Sequence, residues 1–199
     1  MRLRNLLTGS TVAVLAAVGL PAAAQAAPVD TAHAVLAAHE FPAGTTGYTV
    51  ETETLTPIGA SAAPGAVGGS SPTACERNMG RMFERMDGAR VTEARAVRGT
   101  TRVEAALLNR PLTALMMETF PTCEAALSPS ERSAVLAAPA DLARLRPFIF
   151  RDEDELQAWV DVRGVAINVT ARSTNRSSAD ADAFWQLLRA QVAKVERQP

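Results

Sequence analysis

Two histidines, His33 and His39, are the only imidazoles in the chain, so they are where a general base or a metal ligand is first sought. Their spacing does not stack them on one helix face, and no Cys or second His pair stands near to complete a metal site. His39-Glu40 fits either half of a site assembled from distant residues or a plain surface pair. Lys194 is the only lysine, and Ser does not precede it by three positions, which removes the S-x-x-K arrangement. No G-x-S-x-G, P-loop or dinucleotide glycine pattern occurs, and Gly68-Gly69-Ser70-Ser71 lacks the Lys and the strand context of a phosphate loop. The sequence nominates no catalytic residue, no metal ligand set and no cofactor.

Charge and sulfur are more informative. Asp152-Glu153-Asp154-Glu155 is an acidic run. A calcium loop spreads its ligands at alternating positions around a glycine turn, so four adjacent carboxylates fit better a solvated strand end or an acidic docking patch. Arg77, Arg81 and Arg85 recur every fourth residue, and like charges at that helical spacing repel mildly. Glu76, Glu84 and tertiary neighbours offset the repulsion in one reading. In the other an anion does so, a phosphorylated lipid headgroup or an acidic partner. On the same stretch Cys75, Met79, Met82, Phe83 and Met86 share one helix face. Such a methionine stripe is either plain core or the lining of an adaptable pocket. In the pocket reading Met79, Met82 and Met86 line it and Arg81 and Arg85 stand at its rim.

The N-terminus predicts export. Arg2 and Arg4, an apolar stretch from Thr11 to Leu20, and Ala24-Gln25-Ala26 make a secretory signal peptide over residues 1–26, cut before Ala27. The apolar stretch is shorter than the roughly 20 residues of a membrane span, no Cys near the cut offers a lipid anchor, and no later segment reads as a span. A secreted or cell-envelope product follows. In an oxidising compartment Cys75 and Cys123, the only two cysteines, are expected to pair. A reactive thiol is the alternative, and no His, Cys or Lys adjoins either one to lower its pKa. With 20 basic against 21 acidic residues, the chain lacks the basic excess of a nucleic-acid binder. Its 47% hydrophobic content suits a folded domain.

The elements that position these residues follow from periodicity. Residues 30–40 read as a short helix capped by Asp30, and Tyr48 to Thr56 as a strand. The uncharged Gly/Ala/Ser/Pro stretch 57–72 reads as a flexible loop inside a single domain, 27–199. Residues 72–87 are a helix, with Thr73 and Glu76 at capping-box spacing and Gly88 as its stop. Alternation predicts a hairpin about Arg163-Gly164 that pairs 162 with 165, 160 with 167, 158 with 169 and 156 with 171. A weaker hairpin turns at Gly99-Thr100, with Ala94 and Ala96 facing Ala105 and Val103 and Arg95 opposite Glu104. Leu112 to Met117 and Ser130 to Ala137 read as short helices broken by Pro121, Pro129 and Pro139. A last helix from about 179 to 196 carries Phe184, Leu187, Leu188, Val192 and Val195 as its buried stripe. The expected fold is α+β: a mostly antiparallel sheet with helices packed on one face and one disulfide.

Several short features together carry a resemblance: the signal peptide, Phe41-Pro42-Ala43-Gly44 leading into Tyr48-Thr49-Val50, Pro72 before Cys75, Cys123, the hairpin from Trp159 to Ala171, and the closing helix. The chain resembles a group of secreted or lipid-anchored actinobacterial domains of unknown function, similar to the extracellular sensor domain of the mycobacterial kinase PknH. The resemblance implies an exported α+β domain with a stapled helix and a sensor-like role. The sensor domain carries more disulfides than two cysteines allow, and no site residue transfers. The sequence thus predicts a non-enzymatic cell-envelope domain that binds a small molecule, a lipid or an envelope protein. Its pocket would lie between the Cys75 helix and the Trp159 hairpin. The competing expectations are a hydrolase or transferase built from scattered Asp, Glu and His, and a docking or inhibitory module with no pocket.

Overall fold

A computed structural model describes residues 28–56 and 73–199; the expected signal peptide and the expected loop 57–72 lie outside the described residues. At the centre β6 (Glu155–Val162) and β7 (Val165–Ser173) pair Leu156 with Ala171, Ala158 with Val169, Val160 with Ile167 and Val162 with Val165. That is the register the alternation requires, and all eight residues are buried. Arg163 and Gly164 at the turn both have positive φ, 52° and 83°, the backbone whose twist matches a two-residue hairpin. In the second hairpin, β2 (Arg90–Arg98) meets β3 (Thr101–Leu108) with Ala94 opposite Ala105, Ala96 opposite Val103 and Arg95 opposite Glu104. β1 (Thr46–Thr54) flanks β2, while β5 (Phe148–Arg151) and then β4 (Ala134–Leu136) flank β6. Among the described residues the sheet has seven strands in the order β1-β2-β3-β7-β6-β5-β4, every pairing antiparallel.

One face is covered by α4 (Ala181–Glu196), whose Phe184, Leu187, Leu188, Val192 and Val195 are buried against β3, β6 and β7. The N-terminal segment crosses the same face. Its helix is shorter than expected: α1 (Thr31–Ala34), capped by Asp30, gives way to extended chain and then a 3-10 turn at Ala38–Glu40. The reason is tertiary. Gln191 of α4 is fully buried; its Nε2 donates to the Ala34 carbonyl (2.8 Å) and its Oε1 accepts from Leu36 N–H (3.1 Å). Lys194 Nζ donates to the Val35 carbonyl (2.8 Å) and Tyr48 O–H to the Leu36 carbonyl (2.9 Å). Side chains thus satisfy the backbone groups that a helix would have used.

The α+β class and the antiparallel sheet are as expected, but the helices divide between both faces rather than packing on one. The second face carries Phe148, Phe150, Trp159 and Ala166, and this apolar half needs its own cover. It is supplied by α3 (Thr113–Glu124), whose Phe120 ring lies 5.1 Å from Phe148 and 4.4 Å from Phe150, and behind it by α2 (Ala74–Met86). Asp161 of β6 receives the start of α3: its Oδ1 accepts from Leu112 N–H (2.9 Å), Thr113 N–H (3.1 Å) and Thr113 Oγ1 (2.9 Å). α3 runs through Pro121 instead of stopping before it, at the cost of one backbone hydrogen bond; the flanking residues are held in place by Phe120 packed on Phe148 and Phe150 and by the Cys123 disulfide to α2. Residues 130–137 form turns and β4, not the expected helix.

The disulfide joins Cys75 in the first turn of α2 to Cys123 in the last turn of α3, with Cα atoms 4.8 Å apart. The capping box of α2 is present: Glu76 N–H donates to Thr73 Oγ1 (3.2 Å) and Thr73 N–H to Glu76 Oε2 (2.6 Å). Among the described residues no helix is long and apolar enough to cross a membrane.

Candidate functional site

Of the residues singled out in the sequence, Met82, Met86 and Trp159 meet in one apolar cluster with Leu108, Leu112 and Ala166. Met79 is half-buried on α2. Arg81 and Arg85 are exposed and bonded to protein groups: Arg81 Nη2 donates to Asn78 Oδ1 (2.7 Å) and Glu118 Oε1 (2.6 Å), and Arg85 Nε to the Pro111 carbonyl (3.2 Å). Glu118, from α3, therefore offsets the arginine stripe at Arg81. The Trp159 indole N–H is buried without a hydrogen-bond partner among the described residues. His33 lies on the surface, its Nδ1 2.8 Å from Asp30 Oδ2, and His39 is exposed. Among the described residues no three His, Cys, Asp or Glu side chains are placed to hold a metal ion.

A larger concavity lies on the α4 face, where α4 packs on β3, β6 and β7, between the start of α4 and the β4–β5 flank. The cleft measures about 570 Å³. Leu136 of β4, Leu156 of β6 and Trp185 of α4 supply its apolar lining, with Ala179 and Ala181 at the start of α4. Its charged lining is Arg151, Asp152, Glu153 and Glu155, at the β5–β6 turn. Each wall is fixed by local bonds. Asp152 N–H donates to the Glu155 carbonyl (2.9 Å) and Ser133 Oγ donates to Asp152 Oδ1, so the acidic turn is tied to the residue that leads into β4. Asp180 caps α4 by accepting from Ala183 N–H (3.0 Å), and its own N–H donates to Thr101 Oγ1 (3.1 Å). Trp185 packs edge-on to the buried Phe184, with ring centroids 4.8 Å apart.

No protein-family model, curated protein or solved structure matches this chain.

The chemistry of the cleft rests on its own groups. Burial pushes the Glu155 carboxyl up; Arg172, whose Nε lies 2.8 Å away, opposes that, while Asp152 and Asp154 reinforce it. Glu153 is exposed and makes no hydrogen bond or ion pair with the described residues. The arrangement can hold a molecule against an aromatic and aliphatic wall and engage its polar end at carboxylates. Neither histidine and not the lysine lines it. The sequence read the acidic run as a solvated strand end or an acidic docking patch and missed Trp185, Leu136 and Leu156 as lining residues. A signal for Trp185 was present: a large aromatic one position off the buried α4 stripe has to face something else. Leu136 carried none, because its segment read as a helix.

Proposed function

We propose that this is an exported cell-envelope domain that binds a ligand without transforming it, in a sensor-like role, and that the cleft beside Trp185 is where it binds. The observation that carries the reading is the cleft: about 570 Å³, within the 300–1,000 Å³ range of small-molecule sites, apolar on one side with a few convergent polar groups on the other. Export is supported by the signal-peptide pattern of residues 1–26 and by the disulfide, a bond that persists in oxidising compartments. The resemblance to secreted actinobacterial sensor-like domains points the same way. The surface positions of His33 and His39, away from the cleft, favour binding over the hydrolase reading.

A second reading places the ligand under α2, against Met82, Met86 and Trp159, and is favoured by the unpartnered indole N–H. Native mass spectrometry of protein recovered from the medium or envelope separates the two. The chain should begin at Ala27 and carry a non-covalent adduct. Ala181→Phe, at an exposed position in the cleft wall, should remove the adduct, and Trp159→Phe should leave it. The reverse pattern would move the site under α2, and a clean apo mass in repeated preparations would overturn the binding reading.

A further inference from the structure

The charge of the cleft says what kind of molecule it takes. Its lining holds three carboxylates, Asp152, Glu153 and Glu155, against one guanidinium, Arg151. Glu155 is paired with Arg172 at 2.8 Å and Asp152 accepts from the Ser133 hydroxyl, yet Glu153 has no counter-charge among the described residues. Asp154 stands in the same turn and Asp182 in the first turn of α4. The positive end of that helix does not offset them for an anion, because Asp180 caps it. Trp185 already meets a cation: the Arg189 guanidinium carbon lies 6.0 Å from the ring centroid. Asp141 grips that guanidinium at 2.7 and 3.3 Å, and Arg189 is not part of the cleft lining. An anion entering the cleft would face Asp152, Glu153 and Glu155, with Arg151 as the one cationic group among the described lining residues.

We infer that the cleft selects amphiphilic cations. The apolar portion lies on Trp185, Leu136 and Leu156, and the amine, guanidinium or quaternary ammonium head sits at Asp152 and Glu153. The inference rests on the proposal that this cleft is the binding site. Aromatic and carboxylate groups together bind such heads through ring-quadrupole attraction and charge, and the apolar wall discriminates against small inorganic cations, which bury no apolar surface.

The test is isothermal titration calorimetry at low ionic strength on the oxidised exported protein once mass spectrometry shows it free of adduct. The probes are octyltrimethylammonium, octanol and octyl sulfate. The cation should bind at least ~10-fold more tightly than octanol, with octyl sulfate weakest. Glu153→Gln should weaken the cation about 3-fold and leave octanol unchanged, with the difference shrinking at high salt. Ala181→Phe should weaken every probe that binds. If octanol or octyl sulfate binds as tightly as the cation and Ala181→Phe blocks it, the cleft is a site but cation selection is overturned. If no probe binds, or Ala181→Phe changes nothing, the cleft reading itself falls and the inference with it.

Discussion

Lys194, the one lysine of the chain, closes the N-terminal segment onto α4: its Nζ donates to Glu40 Oε2 (2.5 Å) and to the Val35 carbonyl (2.8 Å). Burial works to raise the Glu40 carboxyl, but the Lys194 hydrogen bond, the Ala37 N–H and the ammonium charge outweigh it and hold the group below the usual 4.5. A carboxyl held lower in the folded chain than in the unfolded one adds stability above pH 4.5 and loses it as pH falls through the folded value. Glu93 and Glu155 have the opposite sign. Burial raises both, so their contribution falls as pH rises from 4.5 toward their folded values. Glu40→Gln isolates the first effect. Urea unfolding across pH should show the wild type more stable at pH 7, by about 1 kcal/mol, with the two curves converging as pH drops below 4.5. Parallel curves would show that the Lys194–Glu40 contact contributes no titratable stability.

At the scale of elements, α2 depends on α3 more than on the sheet. Asn78 is its one buried residue among those described, and Asn78 Nδ2 donates to the Glu118 carbonyl (3.3 Å) and Thr122 Oγ1 (3.1 Å), both on α3. With Cys75–Cys123 and Arg81–Glu118, the named polar ties of α2 run mainly to its partner helix. Replacing both cysteines by Ser should cost about 4 kcal/mol in the chain-entropy account for a separation of 48 residues. Hydrogen exchange should then show α2 amides losing protection before those of α4. An unchanged urea midpoint would contradict this. The same elements show what was legible in the sequence. The β6–β7 hairpin was readable to the residue because a period of two leaves one register that sets Leu156, Ala158, Val160 and Val162 against apolar partners; the β2–β3 hairpin gave a weaker signal, because Ala94, Ala96 and Ala105 bury little area. α2 and α4 were readable from their caps and stripes. β5 was not, because Phe148-Ile149-Phe150 is too short a run to show a period. Nor was the extended segment 35–37, since Gln191 and Lys194, which hold it, lie more than 150 positions away. The cleft shares that limit: Leu136, Leu156 and Trp185 meet only through the sheet order and the path of α4.

The whole molecule is an antiparallel sheet with a helix-covered core on one face and a disulfide-tied helix pair over part of the other. Its formal charge is −1 for the whole chain and −3 once Arg2 and Arg4 of the expected signal peptide are removed, a small net charge for long-range steering, so capture depends mainly on the local surface. On that surface a cleft of about 570 Å³ opens between the start of α4 and the β4–β5 flank. The central claim, that an exported domain holds a small molecule there, is met most directly by a crystal structure of protein purified from its natural medium without denaturation. Non-protein density against Trp185 and Leu156, with no covalent link to the chain, is the expected result. A cleft containing only ordered water, in crystals of protein that still carries a mass adduct, would contradict it.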